Sequence, residues 1–247
     1  MIATLAGHLK NWTLAGVLLL PVQALAVPVL QLGIGGGVYD PATQTIVTES
    51  DTFNLYAYAK ATGSKAINLA DKFYVSIAIT PQIGPVAVPF GSFSFAGTNY
   101  DINDMSYGNP PFEAYLPHDP GDLGSHGVYN TFFLEIEFLF SAAMKTATVN
   151  TQNSPGHVPT AGSGTALYFK QFAVDVSNLL PGFALHFDLY NTKLLSGDTD
   201  VGNFAPFSHD AGSVPNPVPE PSSLLLLGIA LLSMGFRGRS TQVRMPS

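Results

Sequence analysis

The alternation of apolar and polar residues along the middle of the chain limits what it can fold into. Successive side chains of a β-strand point to opposite faces, so a strand buried on one side reads as alternating apolar and polar residues. The clearest example is Thr131 to Phe140, where every even position is apolar and the odd positions include Glu135 and Glu137. Similar alternation predicts strands near 53–60, 73–80, 86–95, 172–177 and 183–190.

These strands predict an all-β domain over residues 27–213, because no segment between the two ends shows the 3.6-residue period of an amphipathic helix. The expected fold is a single antiparallel β-sandwich, with a jelly-roll variant left open. Long loops are expected at 97–127, 150–164 and 196–217. The glycine-rich run 33–37 lacks the helix that follows a dinucleotide-binding loop, so we interpret it as flexible backbone near the mature N-terminus.

Residues 1–26 have the pattern of a secretory signal peptide. Lys10 precedes the apolar stretch 14–20, and Ala24 and Ala26 form a small-x-small cleavage signal. We therefore expect a separate N-terminal helix that engages the Sec translocon, and removal by signal peptidase after Ala26. The mature chain would begin at Val27 and lie outside the cytoplasm.

The last part of the chain predicts a second, short hydrophobic helix. Residues 214–218 form a proline-rich linker, and residues 219–247 carry the apolar run 222–236 followed by Arg237, Arg239 and Arg244. As a helix this run would be roughly 22 Å long, short against a hydrocarbon core of about 30 Å. Arginines after the span predict a membrane stop with the tail in the cytoplasm.

This end of the chain resembles a PEP-CTERM sorting signal. The resemblance is carried by Val218, Pro219, Glu220 and Pro221, followed by the leucine-rich run and the arginines. The resemblance implies an exported protein of a Gram-negative bacterium that makes exopolysaccharide. It also implies that an exosortase recognises these four residues and cleaves near them. The helix would then be inserted in the membrane only transiently, and after cleavage the mature protein would be at the cell surface or in the extracellular matrix. The alternative is a permanent C-terminal anchor.

The mature domain also resembles the choice-of-anchor N group of bacterial surface proteins. The resemblance is carried by Leu32 to Asp40, His126 to Tyr129, His186 to Tyr190 and Ala205 to Ala211. It implies an exported β-rich domain joined to a sorting tail, and it carries no catalytic residues to this chain.

The charge of the mature domain excludes one class of partner. Between Val27 and Val218 there are six lysines, no arginine and sixteen acidic residues, a formal net charge of −10. Nucleic acids need clustered Lys or Arg to neutralise their phosphates, so no nucleic-acid partner is expected. The absence of cysteine excludes disulfides and Cys-ligated zinc.

Two sets of side chains are candidates for hydrolysing or binding glycans. Glu135 and Glu137 lie on one strand face, about 6.5–7 Å apart. They could form the acid–base pair of a glycoside hydrolase, or they could simply be part of a solvated strand face. Tyrosines on the polar strand positions offer either sugar-stacking platforms or cross-strand packing, namely Tyr56, Tyr58, Tyr74 and Tyr190.

Acidic loop residues are the candidate metal ligands. Asp198, Asp200 and Asp210 offer carboxylates of the type that binds Ca²⁺, although their spacing does not complete the twelve-residue calcium loop. A second loop holds His118, Asp119, Asp122 and His126. Turn formation by Asp is the alternative. Apart from Ca²⁺, no cofactor is expected.

Together these features predict a non-enzymatic exported surface or matrix protein with a structural or interaction role at the exopolysaccharide. The alternatives are a carbohydrate-binding module, with or without calcium, and a glycan-active hydrolase that uses Glu135 or Glu137.

Overall fold

Alternating side chains of two facing sheets build the centre of the molecule. The computed structural model describes residues 27–108, 130–195 and 198–215. The predicted signal helix and C-terminal helix lie outside these residues. The strands are β1 Leu30–Ile34, β2 Val38–Asp40, β3 Thr45–Thr48, β4 Thr52–Lys60, β5 Lys72–Thr80, β6 Phe93–Phe95, β7 Thr98–Tyr100, β8 Ser106–Gly108, β9 Thr131–Phe138, β10 Lys145–Thr146, β11 Leu167–Asp175, β12 Ala184–Leu195, β13 Asp198–Phe204 and β14 Asp210–Ser213.

The strands form two sheets. The first sheet has the order β1-β4-β11-β6-β7, with β10 also paired to β11. The second has the order β2-β3-β14-β12-β5-β9-β8, with β13 also paired to β12. Short 3₁₀ turns at Ile102–Asp104 and Phe207–His209 are the described helical elements. None of the described helical elements has the length and apolar character that a membrane crossing requires.

The predicted all-β sandwich is confirmed, with one addition to its antiparallel pattern. The strands β3 and β14 pair in parallel, with Asp210 beside Thr45 and Ser213 beside Thr48. The second sheet is therefore mixed. A parallel pair needs a long crossover connection, and here the two partners come from opposite ends of the domain. No local sequence pattern could have indicated this contact.

Phenylalanine rings join the two sheets at the core. Phe187 of β12 makes edge-on contact with Phe53 of β4, with ring centroids 6.1 Å apart, and stacks with Phe95 of β6 at 6.3 Å. Phe138 of β9 meets Phe172 of β11 edge-on at 5.1 Å. Each such pair contributes about 0.5–1.5 kcal/mol beyond the burial of its area. Because each pair joins strands of different sheets, these contacts hold the sandwich closed.

Two predictions about irregular regions were wrong. Residues 86–90 form no strand, and Val86 is 77% exposed, because Pro85 and Pro89 remove the backbone donors that a sheet would need. Conversely, the long loop expected at 196–217 contains β13 and β14. Its aspartates and glycine lack the β-propensity that normally marks a strand, and these strands form because β12 and β3 supply hydrogen-bonding edges.

The glycine-rich segment is also different from its prediction. Its first two residues, Gly33 and Ile34, belong to β1, whose Leu30, Leu32 and Ile34 are completely buried in the core, and Gly35 and Gly36 form the turn that follows. Gly33, between Leu32 and Ile34, leaves space for a covering loop: a Cβ on Gly33 would lie 3.1 Å from a methyl carbon of Thr151. The interpretation from the sequence considered the glycines alone and missed that Leu30, Leu32 and Ile34 alternate as the buried face of a strand.

We predict that Leu32→Ala will lower the free energy of unfolding by about 2–5 kcal/mol, because it leaves a cavity in a packed core. The matched control is Leu139→Ala, since Leu139 is 55% exposed and its removal should cost about 0.5 kcal/mol or less. Chemical denaturation measures both. Equal costs for the two variants would show that β1 is not part of the folded core.

Candidate functional site

Two neighbouring strands bring three ionisable side chains together on the outer face of the second sheet. On β12 and β14, Phe187 and Ala211 pair directly and point into the core. Alternation along each strand then turns His186, Asp188 and Asp210 to the opposite face. The three residues are separated by up to 24 positions in sequence, and the pairing of β12 with β14 is what brings them together.

The three side chains form a compact cluster of nitrogen and oxygen atoms. His186 Nε2 lies 3.3 Å from Asp188 Oδ1 and 4.0 Å from Asp210 Oδ2. One ligand atom from each residue fits within a mutual separation of 4.8 Å. We call these three residues the His-Asp-Asp cluster. An imidazole with two carboxylates at this spacing can hold a divalent metal ion.

The two carboxylates of the cluster are almost completely removed from solvent. Asp188 and Asp210 are each 1% exposed. Burial, together with the neighbouring charge of Asp188, raises the pKa of Asp210 well above its ordinary value. Neither carboxylate oxygen of Asp210 has a hydrogen-bond partner in the described part of the chain. A buried acid without partners is costly to keep ionised, so the site favours a bound proton or a bound cation.

Small side chains surround the cluster. His186 pairs with Gly212 on one side and Ala78 on the other. Asp188 pairs with Ser76, whose hydroxyl is buried and also lacks a partner among the described residues. Paired residues share a face of the sheet, so Ser76 adds a second residue with an unsatisfied polar group, after Asp210, at the cluster.

The metal ligands expected from the sequence are placed apart by the strand pairing. Asp210 joins the cluster, whereas Asp200 pairs with Lys193, five positions along β12 from Asp188. At about 3.3 Å per residue this is roughly 16 Å, and Asp198 is farther along the same strand. The side chains of Asp198 and Asp200 are outside the described part. Sequence analysis missed His186 and Asp188 as ligands, although their i, i+2 spacing on a predicted strand was a usable signal.

His209 precedes Asp210 but has different partners. Its Nε2 lies 3.2 Å from Asn150 Oδ1, and its Nδ1 lies 2.8 Å from Ser208 Oγ. Burial lowers the pKa of His209 to about 4, so the ring is neutral near pH 7. His209 ends the 3₁₀ turn Phe207–His209, and its ring nitrogens contact Ser208 and Asn150 instead of the cluster.

The two glutamates on β9 are each bonded to a different tyrosine. Glu135 accepts a hydrogen bond from the Tyr190 hydroxyl. Glu137 accepts from Lys72 Nζ at 3.0 Å and from the Tyr74 hydroxyl at 3.1 Å, and these bonds lower the pKa of Glu137. A general acid of a glycosidase needs a raised pKa, which is the opposite of the shift at Glu137.

The tyrosines expected on open strand faces are mostly covered. Tyr56 and Tyr58 are buried against Val149, Leu167 and Phe169 in a second, smaller cluster on the outer side of the first sheet. Tyr190 is sandwiched between Tyr74 and Phe204, with ring centroids 5.3 Å and 5.7 Å away. Cross-strand packing, the alternative given above, is therefore what these three tyrosines do. Tyr74 is partly exposed.

Several predicted sites fall outside the described residues. These are the cleavage residues Ala24 and Ala26, the loop with His118, Asp119, Asp122 and His126, the sorting residues Val218, Pro219, Glu220 and Pro221, and the basic tail with Arg237, Arg239 and Arg244.

Comparison with known protein families tests the C-terminal prediction directly. Residues 217–240 match the family described as the PEP-CTERM protein-sorting motif. The chain carries a PEP-CTERM sorting motif. The motif implies an exported, surface-directed protein that an exosortase processes, and the resemblance stated on residues 218–221 is confirmed. No curated protein and no solved structure gives a significant match to the chain. The choice-of-anchor N resemblance stays a prediction.

We predict that Tyr190→Phe will lower the free energy of unfolding by about 1–3 kcal/mol, because a buried hydroxyl bonded to a carboxylate is lost while the ring stack is kept. Tyr74→Phe is the matched control. Its hydroxyl bonds to Glu137, whose side chain is 47% exposed, so we expect a cost below about 1 kcal/mol. Urea denaturation of the two variants compares them, and a larger cost for Tyr74→Phe would contradict this assignment.

Proposed function

We propose that the protein is a non-enzymatic component of the bacterial cell surface or extracellular matrix, with a structural or interaction role at the exopolysaccharide. The observation that carries the proposal is the PEP-CTERM sorting motif at residues 217–240, directly after a β-sandwich domain. The proposed route begins with the Sec translocon and signal peptidase. It ends when exosortase removes the C-terminal segment.

Two features of the domain support a non-enzymatic role. Glu135 and Glu137 make hydrogen bonds that stabilise the sheet, and the lowered pKa of Glu137 suits a permanently charged surface carboxylate. The excess of acidic residues between Val27 and Val218, with no arginine, also suits a hydrated matrix of neutral glycans.

We predict that the protein recovered from its native cell surface begins at Val27 and ends near Pro221. Mass spectrometry of the intact chain measures both ends. Glu220→Ala should leave the hydrophobic segment attached and the protein in the membrane fraction, because the residue that exosortase recognises is lost. Glu49→Ala is the matched control, since Glu49 is exposed on the domain surface. A native chain that still ends at Ser247 in the inner membrane would contradict the sorting proposal.

A carbohydrate-binding role is the second candidate, and an open groove on the first sheet favours it. Thr52, Asn54, Ser94 and Asp175 are among the residues that line this groove. Neutral hydroxyl and amide groups with one carboxylate are suited to hydrogen bonding with sugar hydroxyls. The groove offers no aromatic platform, apart from the Phe53 ring that points into the core.

For any glycan that binds on a glycan array, we predict that Asn54→Ala reduces the affinity at least about tenfold. A tenfold loss of affinity corresponds to about 1.4 kcal/mol of lost hydrogen bonding. Asn103→Ala is the control, because Asn103 is exposed and outside the groove. Repeating the array with a chelator tests the calcium-assisted version. Binding that Asn54→Ala leaves unchanged would exclude the groove as the glycan site.

A further inference from the structure

We propose that the His-Asp-Asp cluster binds one divalent transition-metal ion of the Zn²⁺ or Mn²⁺ type. His186 Nε2 would supply one ligand atom, and one carboxylate oxygen each of Asp188 and Asp210 would supply the others. This inference does not depend on the sorting route or on the glycan groove.

The separations within the cluster are those that an ion between the side chains requires. Zinc lies about 2.0–2.2 Å from imidazole nitrogen and carboxylate oxygen, so two of its ligand atoms are at most about 4.4 Å apart. His186 Nε2 lies 3.3 Å from Asp188 Oδ1 and 4.0 Å from Asp210 Oδ2. The His186 ring is thus already directed at both carboxylates. All three ligand atoms fit within 4.8 Å, so a small rotation of one aspartate completes the set.

The unsatisfied carboxylate of Asp210 is the observation that indicates a ligand. It is 1% exposed, it lies beside a second buried carboxylate, and no described residue donates a hydrogen bond to either of its oxygens. Buried carboxylates are normally paired, hydrogen-bonded or bound to a metal ion. His186 alone compensates at most one of the two charges, whereas a divalent cation compensates both.

The chemistry of the ligand atoms selects the class of metal. Calcium and magnesium ions take oxygen ligands, whereas an imidazole nitrogen with carboxylates suits zinc and manganese. Cysteine is absent from the chain, so the site cannot be one of the thiolate-rich structural zinc sites. The Ser76 hydroxyl, which has no hydrogen-bond partner among the described residues, belongs to the residue paired with Asp188.

Binding at this site would join β12 to β14, which is the last strand before the sorting segment. Only two residue pairs are in register between these strands, His186 with Gly212 and Phe187 with Ala211. The Leu185 amide also donates to Ser213 Oγ at 2.9 Å. An ion held by Asp188 and Asp210 adds a further cross-strand connection next to these. We therefore expect the ion to stabilise the attachment of β14 to the sandwich.

The test uses the full chain, purified in detergent and stripped of metal with a chelator. Isothermal titration with ZnCl₂, MnCl₂ and CaCl₂ measures binding, and thermal unfolding measures stabilisation. We expect one equivalent of Zn²⁺ or Mn²⁺ to bind, with little response to Ca²⁺. At a free metal concentration about 100-fold above Kd, the Tm should rise by about 5–11 °C.

Asp188→Asn and Asp210→Asn should each weaken binding at least about tenfold, since even the loss of an outer-shell partner costs a metal site 10–100-fold. Asp51→Asn, at an exposed position, is the matched control and should bind like the wild type. In the presence of chelator the Asp210→Asn variant should unfold at or above the wild-type Tm, because the substitution removes a buried carboxylate that no described residue hydrogen-bonds. His186→Ala repeats the titration with a third ligand removed, in case one aspartate variant fails to fold.

Three results would overturn the proposal. The first is the absence of stoichiometric Zn²⁺ or Mn²⁺ binding. The second is binding that the Asp188→Asn and Asp210→Asn variants retain, which would place the ion elsewhere in the chain. The third is stabilisation by Ca²⁺ alone, which would exclude a transition-metal site. None of these results bears on the ends of the mature chain, so failure of the metal site and failure of the sorting proposal are separate outcomes.

Discussion

The contact of Phe187 with Phe53 and Phe95 determines which face of each of these strands points into the core between the two sheets. Because side chains alternate along a strand, a shift of one residue on β12 would move Phe187 out of the core and His186 into it. The aromatic packing therefore does more than bury apolar area. It determines that His186 and Asp188 share the outer face, and the pairing of Phe187 with Ala211 then brings Asp210 beside them.

The part of the first sheet that holds Tyr56 and Tyr58 is covered on both sides, and this explains much of its sequence. Its inner face carries the core residues of β1 and β4. Its outer face is covered by the polar loop that follows Val149, where the Gln31 amide donates to Val149 O at 2.8 Å and accepts from Thr151 N at 3.0 Å. Gly33 and Gly35 allow this loop to approach closely. A loop of mainly polar residues thus protects Tyr56 and Tyr58 from solvent.

The sequence was sufficient to predict a strand where apolar and polar residues alternate strongly within that strand. The strands β4, β5 and β9 were predicted close to their observed positions, and β12 was predicted without its last five residues, because apolar residues occupy every second place. It was insufficient where a strand or a buried side chain depends on contact with a distant segment of the chain. The strands β13 and β14 exist because β12 and β3 offer edges, and Tyr56 is buried because a distant loop covers it. The i, i+2 spacing of His186 and Asp188 was visible in the sequence, but their meeting with Asp210 could not be predicted, because it depends on the register between β12 and β14.

The parallel pairing of β14 with β3 has a mechanical consequence for a protein handled through its C-terminus. Four residue pairs join the two strands from Asp210 to Ser213, and the Val214 amide donates to Thr48 O at 2.9 Å just beyond them. A pull on the sorting segment along the direction of β14 would load these hydrogen bonds together, in shear, instead of opening them one after another. The strand β14 is thus placed to resist traction on the sorting segment that follows it in sequence.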